Sequence, residues 1–437
     1  MGERCIQLAK PEIEDSFDQS QLVHCGIFGA LIFMSRPSEY ESGSYKQGSS
    51  YMSANINLPR ILRVGAGASD QLPATLDELK VSRPLLITDP FLVECGHCGK
   101  MEELLRTAGA DYEVFSDCVP DPTTDSVRAA LQVFREGDHD SVIGLGGGSS
   151  MDTAKAVAVM AHREEPMRQY KVPYVVDTGV PVIAIPTTAG TGSEATRVAV
   201  ISDTQTQEKM LWMGLGLMPV AALVDFELTM NMPYRLTADT GIDSLCHALE
   251  AYVSRKANPF TDSVALTAMR TIALNIRTAC EHPDNRIARE AMMLAATQGG
   301  IAFANASVTL IHGMSRPVGA FFHVPHGLSN AMLLPEITAW SVPGATLRYA
   351  EAARVMGMAS ASDSDALAGE KLVAGLRRLN ADLSVPSPGQ WGIEETAWFE
   401  AMPNMAQQAL DSGSPANNPL IPDANQIQEL YERVWRA

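Results

Sequence analysis

The stretch Ser141–Lys155, SVIGLGGGSSMDTAK, predicts a strand, a tight turn and a helix in direct succession. Its apolar start is typical of a buried strand, and Thr153–His162 has helical character. It is not a strict G-x-G-x-x-G, because the sixth position is Ser149, and it lacks the Gly-Lys-Ser/Thr of a P-loop. Glycines still let backbone N–H groups approach a ligand, and a helix N-terminus favours negative charge. The stretch therefore indicates a pyrophosphate site, with a simple strand–helix turn as the alternative.

Three further apolar runs on either side of this stretch predict a parallel sheet. PLLIT leads into Asp89, PVIAI into the loop Pro186–Glu194, and VAALV into Asp225. Short apolar runs that end in polar or Gly-containing turns are typical of buried parallel strands, and helical segments such as Asp125–Arg135 separate some of them. Because ligands bind at the carboxyl ends of such strands, we expect a Rossmann-like nucleotide-binding domain over residues 51–234.

Two of these strand ends carry side chains suited to a dinucleotide. A carboxylate at Asp89 can accept hydrogen bonds from the adenosine ribose and would repel a 2′-phosphate, which favours NAD over NADP. The alternative for Asp89 is a helix N-cap. The loop PTTAGTGSE contains Thr187, Thr188, Thr191 and Ser193. Their hydroxyl groups and the free N–H groups of the loop can hold a phosphate or the nicotinamide carboxamide, and the alternative is a Thr-rich turn.

Helical periodicity replaces the strand pattern from about residue 235 onward. Ala-, Leu- and Met-rich helical stretches continue to the last predicted helix, Asn425–Arg436. Residues 1–50 lack periodicity and end in the Ser/Gly-rich SGSYKQGSS, so we expect a poorly packed extension there. The predicted fold class is an α/β N-terminal Rossmann-like nucleotide-binding domain, residues 51–234, plus an all-helical C-terminal domain, residues 235–437.

The segment GIDSLCHALEAY, residues 241–252, carries two candidate metal ligands on a predicted helix. Asp243, His247 and Glu250 form a polar stripe at i, i+4 and i+7. An apolar stripe on the same helix can pack on the core, so the polar stripe can face a cleft. The spacing places the side chains of Asp243 and His247 one turn apart on one face.

Two histidines further along the chain can complete a four-ligand site. His312 and His326 each precede a glycine, which helps where the backbone must crowd a bound group. Together with Asp243 and His247 they offer one carboxylate and three imidazoles, a set that suits a divalent cation such as Fe²⁺ or Zn²⁺. His323 is a rival ligand, although its aromatic and proline neighbours favour a packing role.

Composition excludes two classes of function. Asp and Glu number 51 against 33 Lys and Arg, a formal net charge of -18 without a Lys/Arg run, which argues against nucleic-acid binding. No stretch has the roughly 18 apolar residues of a membrane helix, so no membrane partner is expected. Seven cysteines at scattered positions predict no disulfide framework. These features favour a cytoplasmic protein that acts on a small molecule.

Taken together, the motifs resemble the iron-containing (group III) alcohol dehydrogenase family. The resemblance runs from about Val64 to the C-terminus and rests on segments in matching order: VGAGA, ITDPFLVECG, VPDPT, GGGSSMDTAK, PTTAGTGSE, GIDSLCHALEAY, IHGMSRPVGAFF and VPHGLSNAMLLP. It implies the fold that this family shares with dehydroquinate synthase. It also implies NAD as cofactor, a divalent metal that is Fe²⁺ or else Zn²⁺, and a homodimer or higher homo-oligomer.

The resemblance also implies a reaction and the residues that serve it. Asp243, His247, His312 and His326 are the implied metal ligands. The predicted cofactor-binding residues, from the resemblance and the motifs together, are Asp89, Asp121, Gly146, Gly147, Gly148, Ser149, Asp152, Thr187, Thr188, Thr191, Thr196 and Lys209. The implied reaction is reversible hydride transfer between an alcohol carbon, with its oxygen at the metal, and the nicotinamide C4. A metal- and NAD-using sugar-phosphate cyclase of the same fold is the alternative.

One residue, Arg316, departs from the family's pattern. Members typically carry His-Gly-Met-Ala-His where this chain has His312-Gly-Met-Ser-Arg316. Arginine cannot relay a proton at neutral pH, but it is a good clamp for a carboxylate or phosphate. We therefore place Arg316 with the four ligands as a candidate catalytic residue and consider a hydroxy acid as substrate. The alternative is an arginine that pairs with an acidic residue in the cleft.

Overall fold

Short apolar segments form the strands of a parallel sheet in the computed structural model, which describes residues 53–206 and 208–437. In chain order the strands are β1 Ile61–Val64, β2 Pro84–Ile87, β3 Glu113–Phe115, β4 Ser141–Gly146, β5 Val182–Pro186, β6 Val198–Ser202, β7 Lys209–Met213 and β8 Ala221–Val224. Six of them form one sheet of order β1-β8-β5-β4-β2-β3 in which every pairing is parallel. The predicted runs PLLIT, SVIGL, PVIAI and VAALV lie in β2, β4, β5 and β8, which confirms these strand predictions.

Helices surround the sheet and make up the rest of the chain after β8. They are α1 Leu72–Leu79, α2 Pro90–Glu94, α3 His97–Thr107, α4 Thr124–Glu136, α5 Gly148–Met160, α6 Tyr234–Val253, α7 Pro259–Glu281, α8 Arg286–Ala306, α9 Leu310–Phe322, α10 His326–Ser341, α11 Thr346–Val355, α12 Asp365–Asp382, α13 Pro388–Trp391, α14 Glu395–Asp411 and α15 Ala424–Arg436. The predicted fold class, an α/β part followed by a helical part, is therefore confirmed.

The described residues cover only part of the predicted division into domains. The extension predicted for residues 1–50 lies outside the described residues. Residues 53–437 form one compact unit. The boundary between two domains at residue 234 stays a prediction.

Helices cover both faces of the sheet, which explains why its central strands are apolar throughout. In β4, Val142 packs with residues of α4 and α5 on one face. Its neighbours Ile143 and Leu145 pack with residues of α1 and α3 on the other face. All residues of β4 are buried. The glycines that follow β4 therefore emerge from the buried centre of the sheet at its carboxyl edge.

Helix α5 begins earlier than predicted, at Gly148 instead of Thr153, with Gly147 as its N-cap. A Cβ atom at Gly148 would lie 3.1 Å from Cγ2 of Thr191. Because glycine has no side chain, the Thr-rich loop after β5 can approach the start of α5 closely. The first N–H groups of α5 are thus placed beside that loop.

Two strands, β6 and β7, form an antiparallel ribbon that the sequence analysis did not predict. Alternate residues of the ribbon are buried, among them Ala199, Ile201, Met210 and Trp212. This period of two is the signal of a half-buried strand. The ribbon contributes to one wall of the cleft described below.

Helix α6 crosses the helical part of the molecule and is buried along most of its length. It packs against α7, α8 and α10 in the largest core cluster. Burial on all sides explains its weak amphipathic character, because such a helix needs no polar face toward solvent. The polar residues Asp243, His247 and Glu250 of α6 therefore lie in the interior.

No single helix within residues 53–206 and 208–437 is long and apolar enough to cross a membrane. Helices α8 and α9 meet the length and composition criteria only as a pair, and that pair is bent by 105°.

Candidate active site

Three helices bring the four predicted metal ligands together. Helix α6 carries Asp243 and His247 one turn apart, His312 lies in the first turn of α9, and His326 is the first residue of α10. The Nε2 atom of His312 is 3.4 Å from Oδ1 of Asp243, and those of His247 and His326 are each 3.8 Å from it. The donor atoms of Asp243, His247 and His312 all lie within 4.8 Å of one another, and His326 adjoins this group through Asp243. Ligands held at about 2.1 Å from one tetrahedral ion lie roughly 3.4 Å apart, so this spacing is close to that of a metal site. We call these four residues the quartet.

The rival ligand His323 does not line the cavity that all four of these residues line. It ends α9 in the left-handed conformation, with φ 54°, and its side chain is exposed. The alternative ligand role for His323 is therefore not supported.

Neighbouring charges and burial give Asp243 and His247 the protonation states that cation binding requires. The side chains of Asp243, His247 and His312 are at most 5% exposed, whereas His326 is 45% exposed toward the cleft. Burial alone would raise the pKa of the Asp243 carboxyl, but the neighbouring imidazoles outweigh burial and lower that pKa well below its ordinary range. Burial lowers the pKa of His247 to about 4. The carboxylate is thus charged and the His247 ring neutral at neutral pH, as metal ligands must be.

Glu250 is a functional candidate to which the sequence analysis assigned no role. Its carboxylate accepts a hydrogen bond from Nδ1 of His312. Its Oε1 also accepts bonds from Oγ1 of Thr309 at 2.8 Å and from the backbone N of Ile311 at 2.7 Å. One buried carboxylate therefore satisfies the start of α9 and fixes the His312 ring with Nε2 toward Asp243. The signal in the sequence was the stripe of Asp243, His247 and Glu250.

Burial and two flanking carboxylates act in opposite directions on His312. Burial lowers the pKa of its imidazole, but Glu250 and Asp243 outweigh burial and raise it to about 9. A positive charge is therefore favoured at this position between the two carboxylates.

Asn330 is a second residue that the sequence analysis missed. It lies one turn after His326 on α10, and its Nδ2 donates to Oδ1 of Asp243 at 2.6 Å. The same nitrogen is 3.1 Å from Nε2 of His312 and 3.3 Å from Nε2 of His326. Its buried Oδ1 has no hydrogen-bond partner within the described part of the chain. The amide nitrogen of Asn330 thus lies among three of the four donors and donates to Asp243, and the i+4 spacing from His326 was the only signal.

Two adjoining cavities connect the quartet with the Gly-rich turn. The first, of about 260 Å³, is lined by the whole quartet, and we call it the cleft. The predicted cofactor residues that also line the cleft are Asp121, Gly148, Ser149, Asp152, Thr191, Thr196 and Lys209. The second, of about 510 Å³, is lined by Asp89, Gly147, Gly148, Ser149, Thr187, Thr188 and Thr191. Gly148, Ser149 and Thr191 line both, so the cavities meet at the N-terminus of α5.

Asp89 lines the second cavity and is also the N-cap of α2. Its Oδ1 accepts a hydrogen bond from the backbone N of Leu92 at 3.1 Å. The N-cap alternative is therefore confirmed as a structural role. Oδ2 is 3.5 Å from Oγ of Ser150, close to the start of α5. The ribose role of Asp89 is compatible with this position and stays a prediction.

Two predicted cofactor residues, Asp152 and Thr196, use their polar atoms within the protein. Asp152 accepts from Oγ of Ser193 and from the backbone N of Val200, each at 2.9 Å. The buried amine of Lys155 donates to Ser193 and, at 3.1 Å, to Oγ1 of Thr196. This network ties α5 to the Thr-rich loop and to β6. Both residues line the cleft, and the structure gives them a role in holding its walls.

The remaining predicted cofactor residues occupy the edge of the site. Lys209 pairs with Asp121 at 3.1 Å, and Asp121 has a positive φ of 54°. Gly146 lines neither cavity. Its φ is 148°, and a Cβ there would lie 2.5 Å from Oγ of Ser150, so only glycine fits this turn.

Arg316 lies one turn after His312 on α9 and lines the cleft with the quartet. Its Nη1 donates to Oγ of Ser414 at 3.2 Å. It forms no ion pair with a carboxylate of residues 53–206 or 208–437. The alternative of an Arg316 paired with an acidic residue in the cleft is therefore not seen among the described residues.

Comparison with known proteins gives matches over both halves of the chain. A family model described as iron-containing alcohol dehydrogenase matches residues 59–226. A second, described as the Fe-containing alcohol dehydrogenase family, C-terminal, matches residues 237–435.

Individual relatives agree with these models. The long-chain-alcohol dehydrogenase 1 of Geobacillus thermodenitrificans is 37% identical, over 87% of this chain and 97% of the relative. The NAD-dependent methanol dehydrogenase of Bacillus methanolicus is 34% identical, over 87% of this chain and 99% of the relative. The solved structure of a 1,3-propanediol oxidoreductase is 33% identical in sequence and superposes with a TM-score of 0.84. The match covers 88% of this chain and 100% of that one. The quartet, the adjoining cavities and these matches lead to one conclusion: the chain belongs to the iron-containing alcohol dehydrogenase family.

Proposed function

We propose that the cleft catalyses reversible, NAD-dependent oxidation of an alcohol to an aldehyde, with a divalent metal held by the quartet. The observation that carries this proposal is the convergence of Asp243, His247, His312 and His326 beside the Gly-rich turn. The names of the relatives, which include NAD-dependent methanol dehydrogenase and 1,3-propanediol dehydrogenase, support the same reaction class.

The metal would be held by one carboxylate and three imidazoles, a set that suits Fe²⁺ and accepts Zn²⁺. When bound, such an ion supplies a Lewis acid that favours loss of the alcohol proton. The protein's own contribution is the orientation of the donors. Glu250 fixes the His312 ring, and Asn330 holds Oδ1 of Asp243. His326, the most exposed of the four, faces the space where substrate would enter.

The dinucleotide would span the two cavities. NAD supplies the hydride acceptor, and the protein supplies its position. The N–H groups at the start of α5 and the hydroxyls of Thr188 and Thr191 are suited to the pyrophosphate where the cavities meet. Asp89 would then reach the adenosine ribose in the second cavity. The nicotinamide would lie in the cleft, beside the quartet.

We expect Asp89→Gly to raise the NADP/NAD ratio of kcat/KM by roughly tenfold or more, because a hydrogen bond to a charged group contributes about 1.5 kcal/mol or more. Since Asp89 is also an N-cap, Asp89→Asn is the matched variant: it removes the charge and keeps the cap. Steady-state kinetics with both cofactors measures the ratio. An unchanged ratio in both variants would reject the ribose role.

We further propose that the protein works as a cytoplasmic homodimer or higher homo-oligomer. Strand β1 lies at an edge of the sheet, and its Leu62 and Val64 are 41% and 45% exposed, which suits pairing with a second copy. The cysteines among the described residues are free, as in a reducing compartment. Light scattering on the purified full chain measures the mass, and a monomer at micromolar concentration would contradict the oligomer.

The test of the function is a panel of primary alcohols and aldehydes with NAD or NADH, after reconstitution with Fe²⁺ or Zn²⁺. We expect net NADH formation from alcohols, loss of activity on chelation and recovery on adding metal back. A cyclase, which regenerates its NAD, would give no net NADH. Full activity in the chelated enzyme would contradict the metal site.

A further inference from the structure

We propose that Arg316 binds a carboxylate at the far end of the substrate, so that short-chain hydroxy acids and their aldehydes are the substrate class of this cleft. The inference rests on the proposed function, because it assumes that the hydroxyl end of the substrate lies at the quartet. It adds a second point of recognition to the site.

The first argument is the position of Arg316 relative to the quartet. His312 and Arg316 are four residues apart on α9, and side chains at this spacing lie on one face with about 5–6 Å between Cβ atoms. Ser315 and Gly319 of the same helix also line the cleft. The long arginine side chain therefore starts one turn from a metal ligand, and its reach covers the length of a short carbon chain.

The second argument is that the guanidinium of Arg316 is largely unused by the protein. An arginine has five N–H donors. Within the described chain, Arg316 has a hydrogen bond to Oγ of Ser414 and no carboxylate at ion-pair distance. Arg289 provides the contrast. Its Nε donates to the carbonyl of Pro283, its Nη1 to Thr237 and its Nη2 to the carbonyl of Met232.

This contrast separates a structural arginine from one that is free to bind a ligand. Arg289 is 2% exposed and all three of its nitrogens bind protein oxygens. Arg316 is half-buried and lines a cavity. A half-buried cation that has no carboxylate at ion-pair distance is stabilised when an anion binds directly to it. The planar fork of a guanidinium matches a carboxylate in two parallel hydrogen bonds.

The third argument is the character of the remaining walls. The cleft that the quartet and Arg316 share is also lined by apolar side chains, among them Val198, Phe303, Val308 and Val324. Such walls suit the methylene groups of a substrate and strengthen a charge pair by excluding water. The other cation of the cleft, Lys209, is already paired with Asp121. Arg316 is therefore the cation available to an anionic group in the described cleft.

The test compares hydroxy acids with primary alcohols in which a methyl group replaces the carboxylate. The pairs are glycolate and ethanol, 3-hydroxypropanoate and propan-1-ol, and 4-hydroxybutanoate and butan-1-ol. In the metal-loaded wild type we expect a higher kcat/KM for the acid in at least one pair. In Arg316→Ala that acid should lose roughly thirtyfold, and its alcohol partner about threefold or less. Arg316→Lys keeps the charge without the fork and should recover part of the loss.

A binding measurement provides a readout that does not depend on turnover. Propanoate, which has no hydroxyl to oxidise, is titrated into the enzyme–NADH complex by calorimetry. We expect the Kd of propanoate to rise roughly thirtyfold in Arg316→Ala, and the Kd of NADH to stay unchanged. Arg128→Ala is the matched control, because Arg128 is exposed and paired with Asp125 on α4, away from the cleft. It should leave both constants unchanged.

Several outcomes would overturn the inference. The first is an equal kcat/KM for the acid and the alcohol in every wild-type pair, and the second is an equal loss of kcat/KM for both in Arg316→Ala. The third is a higher Kd for NADH in Arg316→Ala with an unchanged acid/alcohol ratio of kcat/KM, which would make Arg316 a cofactor contact. Failure of the proposed function looks different, because the wild type would then oxidise neither acids nor alcohols with NAD.

Discussion

His312→Ala is expected to lose most of its bound metal and roughly a thousandfold in kcat/KM, since several kcal/mol of transition-state stabilisation depend on the metal. His312 is at the centre of the quartet, with Nε2 3.4 Å from Oδ1 of Asp243 and Nδ1 bonded to Glu250. Alanine removes one of four donors. It also leaves the buried carboxylate of Glu250 without its imidazole partner, which costs further stability.

The measurement is metal content by mass spectrometry together with kcat/KM for a primary alcohol, at equal protein concentration. His162→Ala is the control, because His162 is exposed and lies just after α5, outside the cleft. It should bind metal and turn over as the wild type does. If His312→Ala keeps a full equivalent of metal, the assignment of this ligand is wrong.

Glu250→Gln is expected to raise the dissociation constant of the metal by roughly 10- to 100-fold, the usual effect of losing a partner that orients a ligand. In the structure both oxygens of Glu250 act as acceptors: Oε2 for Nδ1 of His312, and Oε1 for Thr309 and the backbone of Ile311. Glutamine has one acceptor oxygen and one NH₂ group. Either the His312 ring or the start of α9 must then face a donor instead of an acceptor.

Competition with a chelator of known affinity measures the metal dissociation constant of this variant. At saturating metal, the loss in kcat should be smaller than the loss in metal affinity, because all four donors are still present. Glu103→Gln is a matched control, since Glu103 is an exposed residue of α3. An unchanged metal affinity, in a variant that unfolds at the wild-type temperature, would show that Glu250 does not position His312.

Much of the site could be predicted from local sequence because local spacing has direct geometric consequences. The i, i+4 spacing of Asp243 and His247 puts both side chains on one face of any helix that forms there. Likewise, an apolar run followed by glycines predicts a strand that ends in a ligand-binding turn, and β4 with α5 has this form. His312 and His326 were candidate metal ligands because each directly precedes a glycine.

Other features were not predicted from the sequence because their signal is weak at the level of single residues. The ribbon of β6 and β7 buries alternate side chains, but its short segments lie between stronger patterns. The sequence allowed two roles for Asp89, a ribose ligand and a helix N-cap. The structure shows the N-cap, and the same residue also lines the second cavity. Here one residue type serves both roles, so sequence could not separate them.

The family, the parallel sheet with its Gly-rich turn and the four candidate donors could be predicted from the order of the residues alone, since they depend on short-range periodicity and on the succession of motifs. The side chains that support the donors could be identified only once the helices were seen packed together. Glu250 meets the start of α9 and Asn330 reaches Asp243, both through contacts between separate helices, and Arg316 has no carboxylate partner among the described residues. The physical reason is that spacing along the chain fixes directions within one helix, whereas the partner of a buried polar group is set by how helices pack against each other.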